Sequence, residues 1–100
     1  MLLSVYTVHD SKAEAFLQPF FAPNAKVAIR MFAQAAQDEA HAFAKNAGDF
    51  TLFEIGVFDD HSGCLFPHEI HVNLGLALVH QNNGTAAHEL GRIDTEENRT

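Results

Sequence analysis

The tightest constraint on this chain is a single long helical stripe. Ala25, Ile29, Phe32, Ala33, Ala36, Ala40 and Phe43 recur every three or four residues. Lys26, Arg30, Gln34, Gln37 and His41 fall on the opposite side. Asn24 supplies an N-cap oxygen, Gln37-Asp38 marks a possible interruption, and Gly48 is the expected terminator before Asp49. One main helix can cover one face of one small sheet, so the remaining apolar runs must supply that sheet. Leu2 to Val8 reads as a strand, with Leu3, Val5 and Thr7 on one face and Leu2, Ser4, Tyr6 and Val8 on the other. Both faces are largely apolar, as in a central strand.

Phe50 to Phe58 is a second strong strand. Strict alternation puts Phe53, Ile55 and Val57 on one face, and Leu52, Gly56 and Phe58 on the other. Glu54 falls among the second set and needs a partner or an edge. Asp59-Asp60-His61-Ser62-Gly63 is hairpin-turn chemistry with Gly63 at positive φ. Cys64 to Phe66 begins the return, and Pro67 places it at an edge or breaks it there. Ile70 to Val79 supplies a further strand or a short final element. Between the first strand and the helix, Asp10 or Ser11 could cap a helical turn to Leu17, which Pro19 stops. The expected fold is α+β: a small antiparallel sheet of three to four strands, with a β-hairpin, packed against one main helix. One domain is expected over residues 1–80. Residues 81–100 read as a polar, flexible tail with a short helix from Thr85 to Arg92.

Nine Phe and one Tyr exceed what one helix on such a sheet readily buries. Self-association through an apolar sheet face or the Phe16/Phe20/Phe21 connection is therefore expected. The apolar runs, such as Leu74 to Val79, are far shorter than the ~18–20 residues of a membrane span. The first residues lack the basic region and cleavage site of a signal peptide. Cys64 is the single cysteine, which excludes an internal disulfide and fits a reducing cytosol.

The net charge is −7, but its distribution is more informative. Residues 1–45 balance Lys12, Lys26, Arg30 and Lys45 against Asp10, Glu14, Asp38 and Glu39. Residues 46–91 contain six acidic residues and no Lys or Arg. An anionic ligand thus belongs on the first half, with Lys12, Lys26, Arg30 and Lys45 as phosphate contacts and Tyr6, Phe20 and Phe21 as stacking groups. The ordinary alternative makes those aromatics core and those cations a solvated helix face.

His61-x-x-Cys64-x-x-x-His68-x-x-His71 has the residue types of a zinc site. In a continuous strand, however, Cys64 and His68 face one side and His71 the other. The expectation is no metal and no cofactor: His61 in an exposed turn, Cys64 buried as a small hydrophobe, His68 and His71 on the surface. Asp59-Asp60-His61 is ordinary turn chemistry, Cys64 has no helix N-terminus or oxyanion hole, and the glycines form no phosphate loop. The chain is not expected to be an enzyme.

One combination is distinctive. Ser4-Val5-Tyr6-Thr7-Val8 is followed by Asp10-Ser11-Lys12-Ala13 and Phe16-Leu17-Gln18-Pro19-Phe20-Phe21. Then come Ala28-Ile29-Arg30-Met31-Phe32, Phe43-Ala44-Lys45, and Asp49-Phe50-Thr51-Leu52-Phe53-Glu54-Ile55-Gly56 running into Phe58-Asp59-Asp60. Together these resemble the small non-structural protein of gokushovirus-type microviruses, phages with circular single-stranded DNA. The resemblance covers about residues 3–66. Gln37-Asp38-Glu39-Ala40 departs from it, as does the histidine-rich region that follows.

The resemblance implies a non-enzymatic accessory protein of viral single-stranded DNA synthesis, absent from the virion and located in the host bacterial cytoplasm. It implies weak single-stranded DNA binding as a homo-oligomer, with a viral or host replication protein as a further partner and no membrane. It brings no active site. The alternative is a protein–protein interaction module that acts on a host or viral protein without touching DNA.

Overall fold

A computed structural model describes residues 1–81, and its organising unit is a pair of long central strands. Strand β1 (Leu2–Asp10) pairs antiparallel along its whole length with β4 (Phe50–Asp59). The far edge of β4 carries β5 (Cys64–Leu76), joined by the expected hairpin, with Gly63 at φ 77°. The other edge of β1 carries two short strands, β2 (Ala15–Phe16) and β3 (Phe20–Ala22). The five-stranded antiparallel sheet with a hairpin and one main helix is the α+β fold that the hydrophobic periods predict.

The aromatic connection differs from the expected helical turn. Asp10 Oδ1 accepts from the amides of Lys12 and Ala13 at 3.0 and 3.3 Å, and Glu14 takes φ 55°. That tight turn sends the chain straight back along β1. Leu17 N–H donates to Val8 C=O at 2.8 Å, and Thr7 Oγ1 donates to Leu17 C=O at 2.7 Å. Backbone pairing thus wins over local helix propensity.

Helix α1 (Ala25–Gln37) crosses one face of the sheet. The Asn24 side chain accepts from Val27 N–H at 3.0 Å, satisfying one of the orphan donors of the first turn. The interruption falls at Asp38, and helix α2 (Ala42–Lys45) follows, capped by His41 Nδ1 accepting from Phe43 N–H at 3.0 Å. A 3₁₀ turn over Ala47–Asp49 leads into β4. Residues 77–81 are helical, and Gln81 Nε2 donates to Ala36 C=O at 2.7 Å. The expected Thr85–Arg92 helix lies outside the described residues.

Between α1 and the sheet, Tyr6, Val8, Phe32, Phe50 and Leu52 interlock with the small residues Ala22, Ala28, Ala36, Ala47 and Ala77. The buried stripe of α1 is Ala28, Phe32 and Ala36, with Ala25, Val27 and Ile29 at its margins. It is therefore rotated slightly from the stripe read through Ile29 and Ala33.

Strict alternation fails once in β4, and the failure matters. Val5 pairs with Gly56 but Tyr6 pairs with Glu54, so Ile55 is an extra residue and the strand bulges. The bulge reverses the facing of everything after it. Tyr6, Glu54 and Leu52 face the helix, whereas Gly56 and Phe58 lie on the same side as Phe53 instead of opposite it. Glu54 does have a partner: its Oε2 lies 2.7 Å from His68 Nε2, a half-buried pair that ties β4 to β5. Strand β5 runs on through Pro67 as an edge strand, its pairing interrupted where residues 68–71 span the gap opposite Ile55.

Gly56 is the point of closest approach in that bulge. A Cβ there would sit 2.7 Å from the carbonyl oxygen of Phe66. Gly56→Ala is therefore expected to push β5 away from β4 and destabilise the fold by about 1–3 kcal/mol in chemical denaturation. At the hairpin, the His61 N–H donating to Asp59 Oδ1 at 2.9 Å holds that carboxyl below its ordinary 3.8. Its stabilisation is complete above 3.8 and is lost as pH falls through the lower folded value. An NMR titration should find the His61 amide inflecting below 3.8.

Candidate nucleic-acid interface

The face of the sheet turned away from α1 has no second layer among the described residues, and the connection before β3 places aromatic rings on it. Phe16 pairs with His9 across β1 and β2, and Thr7 pairs with Phe53 across β1 and β4, so all four point to this open side. The rings form a row of edge contacts. His9 and Phe16 are 4.7 Å apart, Phe16 and Phe53 5.9 Å, and Phe16 and His71 5.7 Å. Phe16 is 49% exposed despite these contacts.

Farther along the same face, Phe21 leans on Phe58 at 5.4 Å and stays 48% exposed. Val5, Pro19, Phe21, Gly56, Leu65 and Pro67 enclose part of an open apolar cleft of about 300 Å³. Its character follows from the Ile55 bulge, which turns Gly56 rather than a side chain toward this side. The open face is thus a surface of flat rings beside a shallow apolar hollow. Such a surface can stack on planar groups without reading their edges.

The stacking and phosphate candidates are only partly brought together. Tyr6 is fully buried under α1, with its ring centroid 5.6 Å from that of Phe20, and it cannot stack on a ligand. Its position follows from facing the helix in the most central strand. Phe20 is half-buried against the same core, and only Phe21 lies on the open face. Lys12 sits in the exposed turn between β1 and β2, at the His9/Phe16 end of the ring row. Lys26 and Arg30 are one turn apart on the exposed side of α1, in the opposite layer. Lys45 ends α2, beside a polar depression shared with Gln37, Glu39 and Gln81. A single strand lying on the open face can meet Lys12 but cannot also lie along Lys26 and Arg30.

Phe16, Phe53, His9 and His71 carry this surface; the sequence put Phe16 forward for self-association and His71 in the zinc pattern, but none of the four as a stacking group. Their facing depends on pairing Phe16 with His9, which no local pattern announces. Among the described residues no three His, Cys, Asp or Glu side chains gather as a metal set. His68 is engaged by Glu54, His71 turns to Phe16 and Phe53, and His61 lies in the exposed turn. Cys64 is exposed rather than buried, because it opens the edge strand at the mouth of the hairpin.

The Tyr6 hydroxyl is buried near Ser4 and Glu54 with neither in good hydrogen-bond geometry; burial pushes the phenol above 10, opposed by the Ser4 hydroxyl and reinforced by the Glu54 carboxylate. Tyr6→Phe removes that orphaned group. It is expected to leave single-stranded DNA affinity unchanged and to keep or raise stability by up to about 1 kcal/mol, measured by DNA titration and denaturant unfolding.

No helix of the described residues is long and apolar enough to cross a membrane. No curated protein and no solved structure matches the chain. A family model described as "Phage ORF5 protein" does match, over residues 3–78, which takes in β1 through β5 and so both the ring row and the helix layer. The chain therefore belongs to the Phage ORF5 protein family.

Proposed function

We propose that this phage protein is a non-enzymatic accessory of viral single-stranded DNA synthesis that binds single-stranded DNA weakly, as an oligomer, through the open face of its sheet. It acts in the host bacterial cytoplasm, apart from the virion, and belongs with the non-structural proteins of gokushovirus-type microviruses. The observation that carries the reading is the ring row: Phe16 and Phe21 lie on one uncovered sheet face, and Lys12 stands at its end. Unpaired bases offer π-faces that such rings can stack on, at ~1–3 kcal/mol per base. Duplex DNA offers no such faces along its length.

The charge pattern supports weak rather than strong binding. Even four phosphate contacts give a salt slope of roughly −2.8 for single strands, about a 50-fold loss between 50 and 200 mM salt. The open face of one copy has Lys12 at its margin, so several copies must act together for useful affinity. Lys26 and Arg30 act as long-range attraction from the other layer.

A second reading is favoured by the apolar cleft beside Gly56: an interaction module that takes an apolar segment of a viral or host replication protein. The two readings separate in one experiment. Phe16→Ala with Phe21→Ala is expected to lower single-stranded DNA affinity about tenfold or more at 50 mM salt, while Lys26→Ala with Arg30→Ala changes it about twofold. Unchanged binding by the aromatic variant, or no binding by the wild type, overturns the DNA reading. Partner capture from infected cells that survives nuclease then favours the interaction module.

A further inference from the structure

The two edges of the sheet are built differently. On one side β2 and β3 are two and three residues long, with Pro19 between them and Pro23 just beyond, so this edge offers little continuous backbone. On the other side β5 runs for thirteen residues with no strand on its outer edge among the described residues. It carries Leu65, Phe66, Ile70 and Val72 at 62, 54, 79 and 46% exposure, and Leu78 and Val79 follow at 43 and 45%. Half of the twelve large hydrophobic residues exposed among the described residues therefore lie in this strand and the segment after it. Of the usual guards of an edge strand, β5 carries Pro67, Glu69 and the irregularity at residues 68–71, but no lysine.

We infer that the outer edge of β5 is the contact with a second copy of this chain, the two β5 strands pairing antiparallel about a two-fold axis at Ile70. The register follows from symmetry and charge. Antiparallel strands related by a two-fold axis perpendicular to the sheet must have a residue, not a peptide bond, on the axis, because directly opposed side chains share a face. With Glu69 on the axis, the two carboxylates would oppose one another. With His68 on the axis, Glu69 faces Pro67 of the second copy, and with His71 on the axis it faces Asn73. With Ile70 on the axis, Glu69 of each copy lies opposite His71 of the other, giving two reciprocal carboxylate–imidazole pairs.

The same centre fits the strand itself. Ile70 is the middle residue of Cys64–Leu76, so this register overlaps the two strands end to end. It is also the most exposed large hydrophobic among the described residues, at 79%, and lies in the four-residue stretch opposite the Ile55 bulge. Leu65, Phe66, Ile70 and Val72 lie within the overlapped strands, where a backbone ladder and cross-strand side-chain contacts would form between the copies. Pro67 costs the new ladder one donor.

The inference rests on the oligomer in the proposed function and not on its DNA contact. An axis perpendicular to the sheet places both helix layers on one side and both open faces on the other. The two ring rows and both Lys12 side chains then belong to one continuous surface.

Light scattering without DNA tests the interface. The wild type should show twice the 11.0 kDa chain mass, and Ile70→Lys with Val72→Lys should halve it while leaving the circular dichroism spectrum unchanged. Cys64→Ser with Ile70→Cys should form a disulfide-linked dimer on mild oxidation, since opposed residues sit about 4.5–5.5 Å apart between Cα atoms. Cys64→Ser alone should not. A monomeric wild type, a double-lysine variant that stays dimeric, or absence of the Ile70→Cys cross-link overturns the inference. A dimer with no DNA affinity would uphold it while sinking the DNA reading.

Discussion

The antiparallel ladder between β1 and β4 is the constraint on which the rest of the molecule depends. It joins residues some fifty positions apart, so its loop-closure cost is met only when the helix layer and the short strands close around it. Every other element is positioned by one of these two strands. β2 and β3 hang on β1, β5 hangs on β4, and α1 lies across the face that both present. The single extra residue at Ile55 then decides which side chains belong to which layer. Without it, Phe58 would face the helix side with Leu52, and the open face would lose one of its ring contacts.

Much of this was legible in the residues, and what was not has a physical reason. The Asn24 cap, the α1 stripe, the break at Gln37-Asp38, the Gly63 turn and the need of Glu54 for a partner all depend on neighbours close in sequence, or on one misplaced charge. The bulge depends on two strands measured against each other. So does the pairing of Ala15 and Phe16 with β1, where a lone segment of this composition would favour a helical turn. Cys64 reads as a buried small hydrophobe from its type alone, but an edge strand at the mouth of a hairpin gives it nothing to be buried against. The same gap explains the site: Tyr6 and Phe21 look alike as exposed-or-core aromatics until the register of β1 sends them to opposite faces.

Charge and aromatic surface are separated in space as well as in sequence. The cations of the first half are spread over three places, the β1–β2 turn, the outside of α1 and the end of α2, while the rings collect on the sheet. On the proposed reading, such an arrangement would attract a polyanion diffusely and hold it by flat contact. Its selectivity would then come from whether a partner can present planar groups, more than from how many phosphates it carries.

The alanine-rich seam between α1 and the sheet has a consequence for the whole exterior. Ala22, Ala28, Ala36, Ala47 and Ala77 let helix and sheet approach closely, which leaves little volume for large rings. Of the nine phenylalanines, only Phe32 and Phe50 are buried. The interior is limited by size rather than by greasiness, and the surplus rings are displaced to the periphery as a geometric by-product of tight packing. A stickier outside is thus the counterpart of a thin inside, and enlarging any of those alanines would disturb both at once.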